Sequence, residues 1–175
     1  MIALLQEAGV ERLVDVRSVP RSRTNPQFNA DALPGPLAAA GIGYAHLAAL
    51  GGLRHHLKDA PPSPNTLWRN SAFRNYADYA MTEPFRAGLD QLCGLARGER
   101  CAIMCAEAVW WRCHRRIIAD YLLARGLAVA HIMGLGKLDP ADLTAGARPL
   151  PDGTILYAEP GGDPMRGPGP SAKAD

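Results

Sequence analysis

The sequence predicts an α/β fold with a three-layer, Rossmann-like arrangement in which helices flank a mostly parallel sheet. Strand-like and helix-like stretches alternate along the chain, and each strand-like stretch is short and apolar, which is typical of this class. With 175 residues, 47% of them apolar, the chain is long enough for one ordinary domain. We place a single domain at residues 1–159. We expect a disordered tail at residues 160–175, where glycine, proline and charge replace apolar residues.

The first third of the chain contains two helical patterns and two short strands. Residues 1–8 have helical spacing on their apolar positions, and a glycine follows them. Residues 12–18 contain a β-rich run that ends in polar side chains. Residues 20–29 cannot be regular, because two prolines in them lack backbone donors. A short helix from near Pro36 and a strand at residues 42–47 follow.

The rest of the chain continues the alternation of helical spacing and short apolar runs. Ser71 and Thr82, which can cap helices, stand at the starts of the first two helical patterns in this part of the chain. The predicted elements are helices from Ser71 and Thr82, a fully buried parallel strand at residues 101–105, a helix to Arg125, a buried strand at residues 127–133, a short helix from Asp139, and a strand at residues 154–158.

The charge and the cysteines limit the function classes. A net charge of +2 and a pI near 8.4 permit an anionic small molecule or a nucleic acid as partner without requiring either. The four cysteines form no C-x-x-C pair, and we find no signal-like or membrane-length apolar segment. We therefore expect reduced thiols, a cytoplasmic location, no membrane association and no cofactor.

Chemically capable side chains follow the predicted strands at the ends where ligands bind in open α/β sheets. That rule would bring together the loop after Ser18, the segment after Leu47 and the residues after Cys105. The side chains expected to converge there are Arg17, Arg21, Arg23, His46, Arg54, Cys105, Glu107, Arg112 and His114.

Cys105 is the leading candidate for chemistry. A thiolate at a strand end, facing a helix start with Arg112 and Arg115 nearby, would have a lowered pKa and could act as a nucleophile. The alternative is that Cys105 is an ordinary buried thiol, as we expect for Cys101. Cys113 shares a helical stripe with apolar residues and is expected in the core.

The arginines after Cys105 also have two interpretations. If a helix begins at Arg112, then Arg112, Arg115 and Arg116 place positive charge on its first turns, where an anionic partner would compensate them. If the helix begins near Glu107, the arginines lie mid-helix and form a solvated face.

We do not expect a metal site from these residues. The residues with suitable ligand types are Cys105, Glu107, Cys113, His114 and His46. However, adjacent Cys113 and His114 would point about 100° apart on a helix, and the sequence has no second paired ligand set. The string Cys105-Ala106-Glu107 resembles the C-A-E of zinc cytidine deaminases. Those enzymes also need a downstream P-C-x-x-C, which this chain lacks.

A non-catalytic alternative is a nucleic-acid-binding module in which Cys105 is structural. Its cations would be Arg21, Arg23 and Arg69, and its stacking faces would be the three tryptophans. The opposing interpretation is a solvated arginine-rich loop and core tryptophans, because no basic run exceeds a few residues.

Five segments together resemble the family known as domain of unknown function 488. They are DVRSVPRSRTNPQFN, LGGLR, WRNSAFRNYADYA, MCAEAVWWRCHRRIIADYL and AHIM, in the family's order, with DVRSxPRS and MCAEA…RCHRR the most specific. The resemblance implies a bacterial or archaeal single-domain α/β protein without an established activity. The residues that match the family's motifs are Asp15, Arg17, Ser18, Pro20, Arg54, Arg69, Cys105, Glu107, Arg112, Cys113, His114 and Arg115.

The chain departs from that family's pattern in two places. Members open with a T-I-G-H-S strand before the first helix, so we expect the sheet to lack its first strand and a candidate site histidine. The family's loop often has proline between the glutamate and the arginine, where this chain has Val109, Trp110 and Trp111.

Our first hypothesis is therefore a pocket for a phosphate- or nucleotide-like anion, in a hydrolase or transferase with Cys105 as nucleophile. Glu107 would act as acid/base or orient an arginine, and Arg17, Arg112 and Arg115 would clamp the anion. The further candidate ligand-binding residues are Asp15, Ser18, Arg21, Arg54, Arg69 and His114. If neither hypothesis holds, a buried polar cluster that only fixes the loops remains.

Overall fold

Three parallel strands form the central sheet. They are β1 (Arg12–Asp15), β2 (Gly43–His46) and β3 (Cys101–Met104), in the order β2-β1-β3. Their ends are aligned, because Asp15 lies between His46 and Met104 in the register. The computed structural model describes residues 1–55 and 61–158.

Helices connect the strands and pack on the sheet. Asn70, not Ser71, caps the third helix, because its side-chain oxygen accepts the Ala72 N–H at 2.8 Å. Thr82 is the N-cap of the fourth helix, as predicted. The helices are α1 (Ile2–Glu7), α2 (Pro34–Ala39), α3 (Ser71–Ala80), α4 (Glu83–Ala96) and α5 (Arg115–Ala124), with short 3₁₀ turns at Pro26–Phe28, Ala48–Leu50 and Trp110–Arg112.

The core has two parts, which receive side chains from the two faces of β1. Val14 packs in the larger cluster with buried residues of α3, α4 and α5, whereas Leu13 packs in a smaller cluster with residues of α1 and α2. Successive strand residues point to opposite faces, and both central residues of β1 are apolar because both directions are buried. The α/β class with a parallel sheet is confirmed. The Rossmann-like layering and the missing first strand stay predictions.

The predicted full burial of the strand at residues 101–105 is wrong. Cys101, Ala102, Ile103 and Met104 are all half-buried. The reason is the strand order, because β3 lies at the edge of the sheet and β1 occupies its centre.

The chain after α5 forms two hairpins, which corrects two predictions. β4 (Ala130–Gly134) pairs antiparallel with β5 (Lys137–Pro140), so the predicted buried strand is partly exposed and no helix begins at Asp139. Gly136 lies in the two-residue turn with φ +66°, a value that favours glycine. The predicted final strand is confirmed as β7 (Ile155–Tyr157), which pairs with β6 (Ala147–Pro149).

Two further expectations concern the whole chain. Within residues 1–55 and 61–158, no helix is long and apolar enough to cross a membrane. The expected tail at residues 160–175 lies outside the described residues, so it stays a prediction together with the single domain at residues 1–159.

Candidate functional site

A buried ion pair fixes the loop that leaves β1. The Asp15 side chain is fully buried and accepts hydrogen bonds from the backbone N–H, Nε and Nη2 of Arg17, at 3.0, 2.9 and 2.5 Å. Tyr44 Oη donates to the same carboxylate at 2.9 Å, and burial raises the pKa of Tyr44 to about 12. Arg17 Nη2 also donates to the Phe28 carbonyl at 2.6 Å. Two predicted ligand-binding residues, Asp15 and Arg17, are therefore engaged with each other and hold the loop.

Two histidines hold the next residues of this loop. His114 Nε2 lies 3.0 Å from the Val16 carbonyl oxygen, and His46 Nε2 lies 2.8 Å from that of Arg17. A carbonyl oxygen only accepts, so each Nε2 must carry the proton. In the neutral His114 ring, Nδ1 is then left as an acceptor.

The Nδ1 atom of His114 faces two thiols. It lies 3.7 Å from Cys105 Sγ and 3.6 Å from Cys113 Sγ. All three atoms lie within 4.8 Å of one another, so this thiol–imidazole cluster offers three atoms that could ligate a metal ion. The structure thus brings Cys105 and His114 together, as predicted, and adds Cys113.

The backbone explains why adjacent Cys113 and His114 both reach Cys105. Cys113 is extended, with φ −130° and ψ 150°, and α5 begins only after His114, which is its N-cap. Cys113 is buried, as predicted, but it does not belong to the helical stripe from which we inferred its burial. The divergence of about 100° expected for helical neighbours does not apply here.

Arg115 and Glu107 complete the polar contacts of the sulfurs. Arg115 donates to Cys113 Sγ from its backbone N–H at 3.5 Å and from Nε at 3.3 Å. Its Nη2 donates to the Glu107 carbonyl at 2.6 Å. Glu107 therefore acts on the cluster through its backbone, while its side chain is exposed.

The lowered pKa predicted for Cys105 falls on Cys113 instead. A hydrogen bond from the Cys105 thiol lowers the pKa of Cys113, and the Arg115 N–H lowers it further. The same hydrogen bond, with burial, raises the pKa of Cys105 well above that of a free thiol. Cys113 is therefore the more acidic thiol of the pair, and it lies next to the Arg115 guanidinium.

Two glycines allow the chain to cross close to this cluster. A Cβ atom on Gly51 would lie 2.4 Å from Ser18 Oγ, and one on Gly52 would lie 2.4 Å from His114 Nδ1. Ser18 Oγ accepts the Leu53 N–H at 2.9 Å, so Ser18 holds this segment rather than pointing freely at a ligand. The glycines were not among the predicted site residues, although the string LGGLR signals such a close approach.

The Arg54 side chain holds the backbone of the segment that contains Gly51 and Gly52. Its Nε donates to the Gly51 carbonyl at 3.0 Å and its Nη2 to the Ala49 carbonyl at 3.0 Å. Its guanidinium lies 3.6 Å from the centre of the Tyr79 ring. These contacts position the backbone beside His114.

The remaining predicted cations are exposed. These residues are Arg21, Arg69 and Arg112. Within the described parts of the chain, no hydrogen bond or ion pair joins their side chains to the thiol–imidazole cluster. Arg112 ends the 3₁₀ turn directly before Cys113, so it is the nearest of them along the chain. Their predicted roles in ligand binding stay predictions.

The tryptophans divide between core and surface. Trp68 is buried and stacks on Phe73, with ring centres 5.0 Å apart, so it offers no free face to a base. Trp110 stacks on His131, with ring centres 3.9 Å apart, and Trp111 is 44% exposed.

A surface cavity of about 520 Å³ lies at the other end of β3, away from the cluster. Its lining includes Glu11, Arg97, Arg100 and Cys101, which lie at the amino edge of the sheet. We place the candidate site at the carboxyl edge because the thiols and the imidazole converge there.

The sequence comparisons identify the family to which the chain belongs. A family described as "Domain of unknown function DUF488" matches residues 1–122, which include β1, β2, β3 and the whole thiol–imidazole cluster. No curated protein and no solved structure matches the chain significantly. Because the match spans 122 of the 175 residues, the chain belongs to the DUF488 family.

Proposed function

We propose that the chain binds a phosphate- or nucleotide-like anion at the carboxyl edge of its sheet and attacks it with the Cys105 thiol, as a hydrolase or transferase. The observation that carries the proposal is the orientation of His114. Its Nε2 donates to the Val16 carbonyl, so its Nδ1 accepts protons within 3.7 Å of the Cys105 sulfur. A thiol beside an oriented imidazole is the usual arrangement of a cysteine nucleophile.

Accessibility favours Cys105 over Cys113 as the attacking group. Cys113 is only 2% exposed, whereas Cys105 is half-buried at the end of an edge strand. As the Cys105 sulfur forms its bond to the ligand, its proton passes to His114 Nδ1. The leaving group departs with the electron pair of the broken bond. The exposed Glu107 carboxyl is the proposed donor of a proton to that group.

Positive charge beside the cluster supports an anionic ligand. Arg115 contacts the Cys113 sulfur, and Arg112 lies exposed in the preceding turn. We assign the clamping of the anion to Arg112 and Arg115, because Arg17 is already paired with Asp15. Free thiols at Cys105 and Cys113 fit a reducing, cytoplasmic location.

Paired alkylating reagents test the nucleophile and the anion site together. The measurement uses the Cys93→Ala/Cys101→Ala protein, in which only the two cluster thiols remain. Its reaction rates with anionic iodoacetate and neutral iodoacetamide are compared with those of free cysteine at the same pH. We expect a rate ratio that favours iodoacetate more than free cysteine does, with the label on Cys105.

Two variants separate the parts of the proposal. Arg112→Gln should lower the iodoacetate rate and leave the iodoacetamide rate unchanged, whereas His114→Gln should lower both. A ratio equal to that of free cysteine, or a label found only on Cys113, would overturn the proposal.

A non-catalytic nucleic-acid-binding module is the second candidate. The exposed Arg21, Arg23 and Arg69 and the 44% exposed Trp111 favour it, because guanidinium groups and an open ring bind single strands. Retention of single-stranded oligonucleotides that weakens with salt, and is unchanged in Cys105→Ser, would support it. No retention at low salt would exclude it.

A further inference from the structure

We propose that the Sγ atoms of Cys105 and Cys113 and the Nδ1 atom of His114 form a three-ligand site for a thiolate-binding metal ion, in the first place Zn²⁺. The inference does not rest on the proposed nucleophile. A metal-bound Cys105 would be shielded from alkylation, so the two uses of the thiol–imidazole cluster are experimentally separable.

The distances match those that a tetrahedral ion requires. Zn–S bonds of about 2.3 Å and Zn–N bonds of about 2.0–2.1 Å place sulfur and nitrogen about 3.5–3.6 Å apart at the tetrahedral angle. His114 Nδ1 lies 3.7 Å from Cys105 Sγ and 3.6 Å from Cys113 Sγ. The same bond lengths place two sulfurs about 3.8 Å apart, and all three atoms here lie within 4.8 Å. An ion therefore needs only small side-chain movements.

The outer contacts also suit a metal ligand. Metal-bound histidines donate their other ring N–H to a carbonyl or carboxylate, which fixes the tautomer and the ring plane. His114 makes this contact to the Val16 carbonyl at 3.0 Å. The Cys113 sulfur accepts hydrogen bonds from the backbone N–H and the Nε of Arg115. Hydrogen bonds of this kind hold metal-bound sulfurs in place.

The ligand types select the class of metal. Two thiolates and an imidazole suit Zn²⁺ or Cu⁺, and they exclude Mg²⁺ and Ca²⁺, which need oxygen ligands. Two thiolates neutralise the charge of one divalent ion. Three protein ligands leave the fourth tetrahedral position for water or a small anion.

Cobalt(II) is the probe, because its thiolate complexes absorb in the near ultraviolet and its tetrahedral complexes show intense visible bands. Titration of the reduced, metal-stripped protein should give both features at one ion per chain, and Zn²⁺ should displace them. Cys113→Ser and His114→Gln should each weaken binding by more than the ~10–100-fold that loss of an outer-shell partner costs. Cys93→Ser and Cys101→Ser are the matched controls, which should bind like the unaltered chain.

Circular dichroism of each metal-free variant shows that it is folded, and Cys105→Ser provides a third ligand variant if one fails. Absence of the cobalt bands in the unaltered protein, or equal bands in folded His114→Gln, would overturn the metal site. Failure of the proposed nucleophile has a different signature. It would abolish the iodoacetate preference of the metal-free chain and leave cobalt binding intact.

Discussion

Truncation of Asp15 should be among the most destabilising substitutions in this chain. Asp15→Ala removes a carboxylate that is fully buried and accepts hydrogen bonds from Arg17 and Tyr44. The Arg17 side chain is only 8% exposed, and its guanidinium would still donate to the Phe28 carbonyl. The substitution therefore leaves a buried cation and the half-buried Tyr44 hydroxyl without their carboxylate partner.

The expected magnitude follows from the burial of both partners. Removing one member of a buried ion pair costs about 3–5 kcal/mol. For a domain of about 150–250 residues, each kcal/mol lowers the Tm by about 2–4 °C, so a decrease of roughly 6–20 °C is expected. Asp15→Asn should be milder, because the amide oxygen can still accept a hydrogen bond from Arg17.

Glu99→Ala is the matched control for this prediction. Glu99 also pairs with an arginine, Arg12, but the two side chains are 35% and 25% exposed. Solvent screens a pair of this exposure, so its loss should cost much less than the loss of the buried pair. Urea unfolding of the three variants measures the free energies. A loss for Asp15→Ala no larger than that for Glu99→Ala would refute the idea that the buried pair holds the β1 loop.

Two further predictions concern the glycine segment and a second buried carboxylate. Gly52→Ala should displace the His114 ring, because its Cβ would lie 2.4–2.9 Å from three ring atoms. We expect this variant to be destabilised by about 1–3 kcal/mol. Gly94→Ala should instead stabilise the chain by about 0.5–1 kcal/mol, because Gly94 lies in α4 with open space around it. Thermal unfolding of both variants checks the signs, and equal effects would contradict the account. Burial raises the pKa of Asp120 in the folded protein. The stability that this shift contributes is therefore fully present below the pKa of the unfolded chain, ~3.9, and is lost as the pH rises through the pKa of the folded protein. Asp120→Asn should remove this loss in urea unfolding between pH 4 and pH 7, and an unchanged slope would contradict the assignment.

The location of the site could be predicted because it depends on a general property of parallel sheets. Short apolar runs identified β1, β2 and β3, and the carboxyl ends of parallel strands share one edge. This rule alone placed Cys105 near the loop after Asp15. The observed contact of His114 with the Val16 carbonyl shows that the two segments do meet.

The composition of the cluster could not be predicted, because it depends on one backbone detail and one distant contact. The segment Trp110-Trp111-Arg112-Cys113 has no glycine or proline to show that α5 begins only at Arg115. With a helix assumed, Cys113 and His114 diverge; with Cys113 extended, they converge. The His114 tautomer is fixed by a carbonyl 98 residues away, and local sequence holds no information about such a partner.

Burial along the strands was mispredicted for a similar reason. The apolar run Cys101–Met104 does not reveal whether a neighbour lies on one side or on both, and β3 is an edge strand. Among the described residues, the run that contains β4 pairs only with the adjacent β5, and Gly136 was the local signal for their turn.

The protonation of the His114 ring tests the central claim most directly. Both proposals require a neutral ring with its proton on Nε2 and a free Nδ1 lone pair directed at the two thiols. Long-range ¹H–¹⁵N correlation spectra of the metal-free protein distinguish the two ring nitrogens, and His114→Gln assigns the signals. We expect a protonated Nε2, an unprotonated Nδ1, and a change in the Nδ1 signal when Cys113 is replaced by serine. A proton on Nδ1 in the neutral ring would contradict both the nucleophile and the metal site.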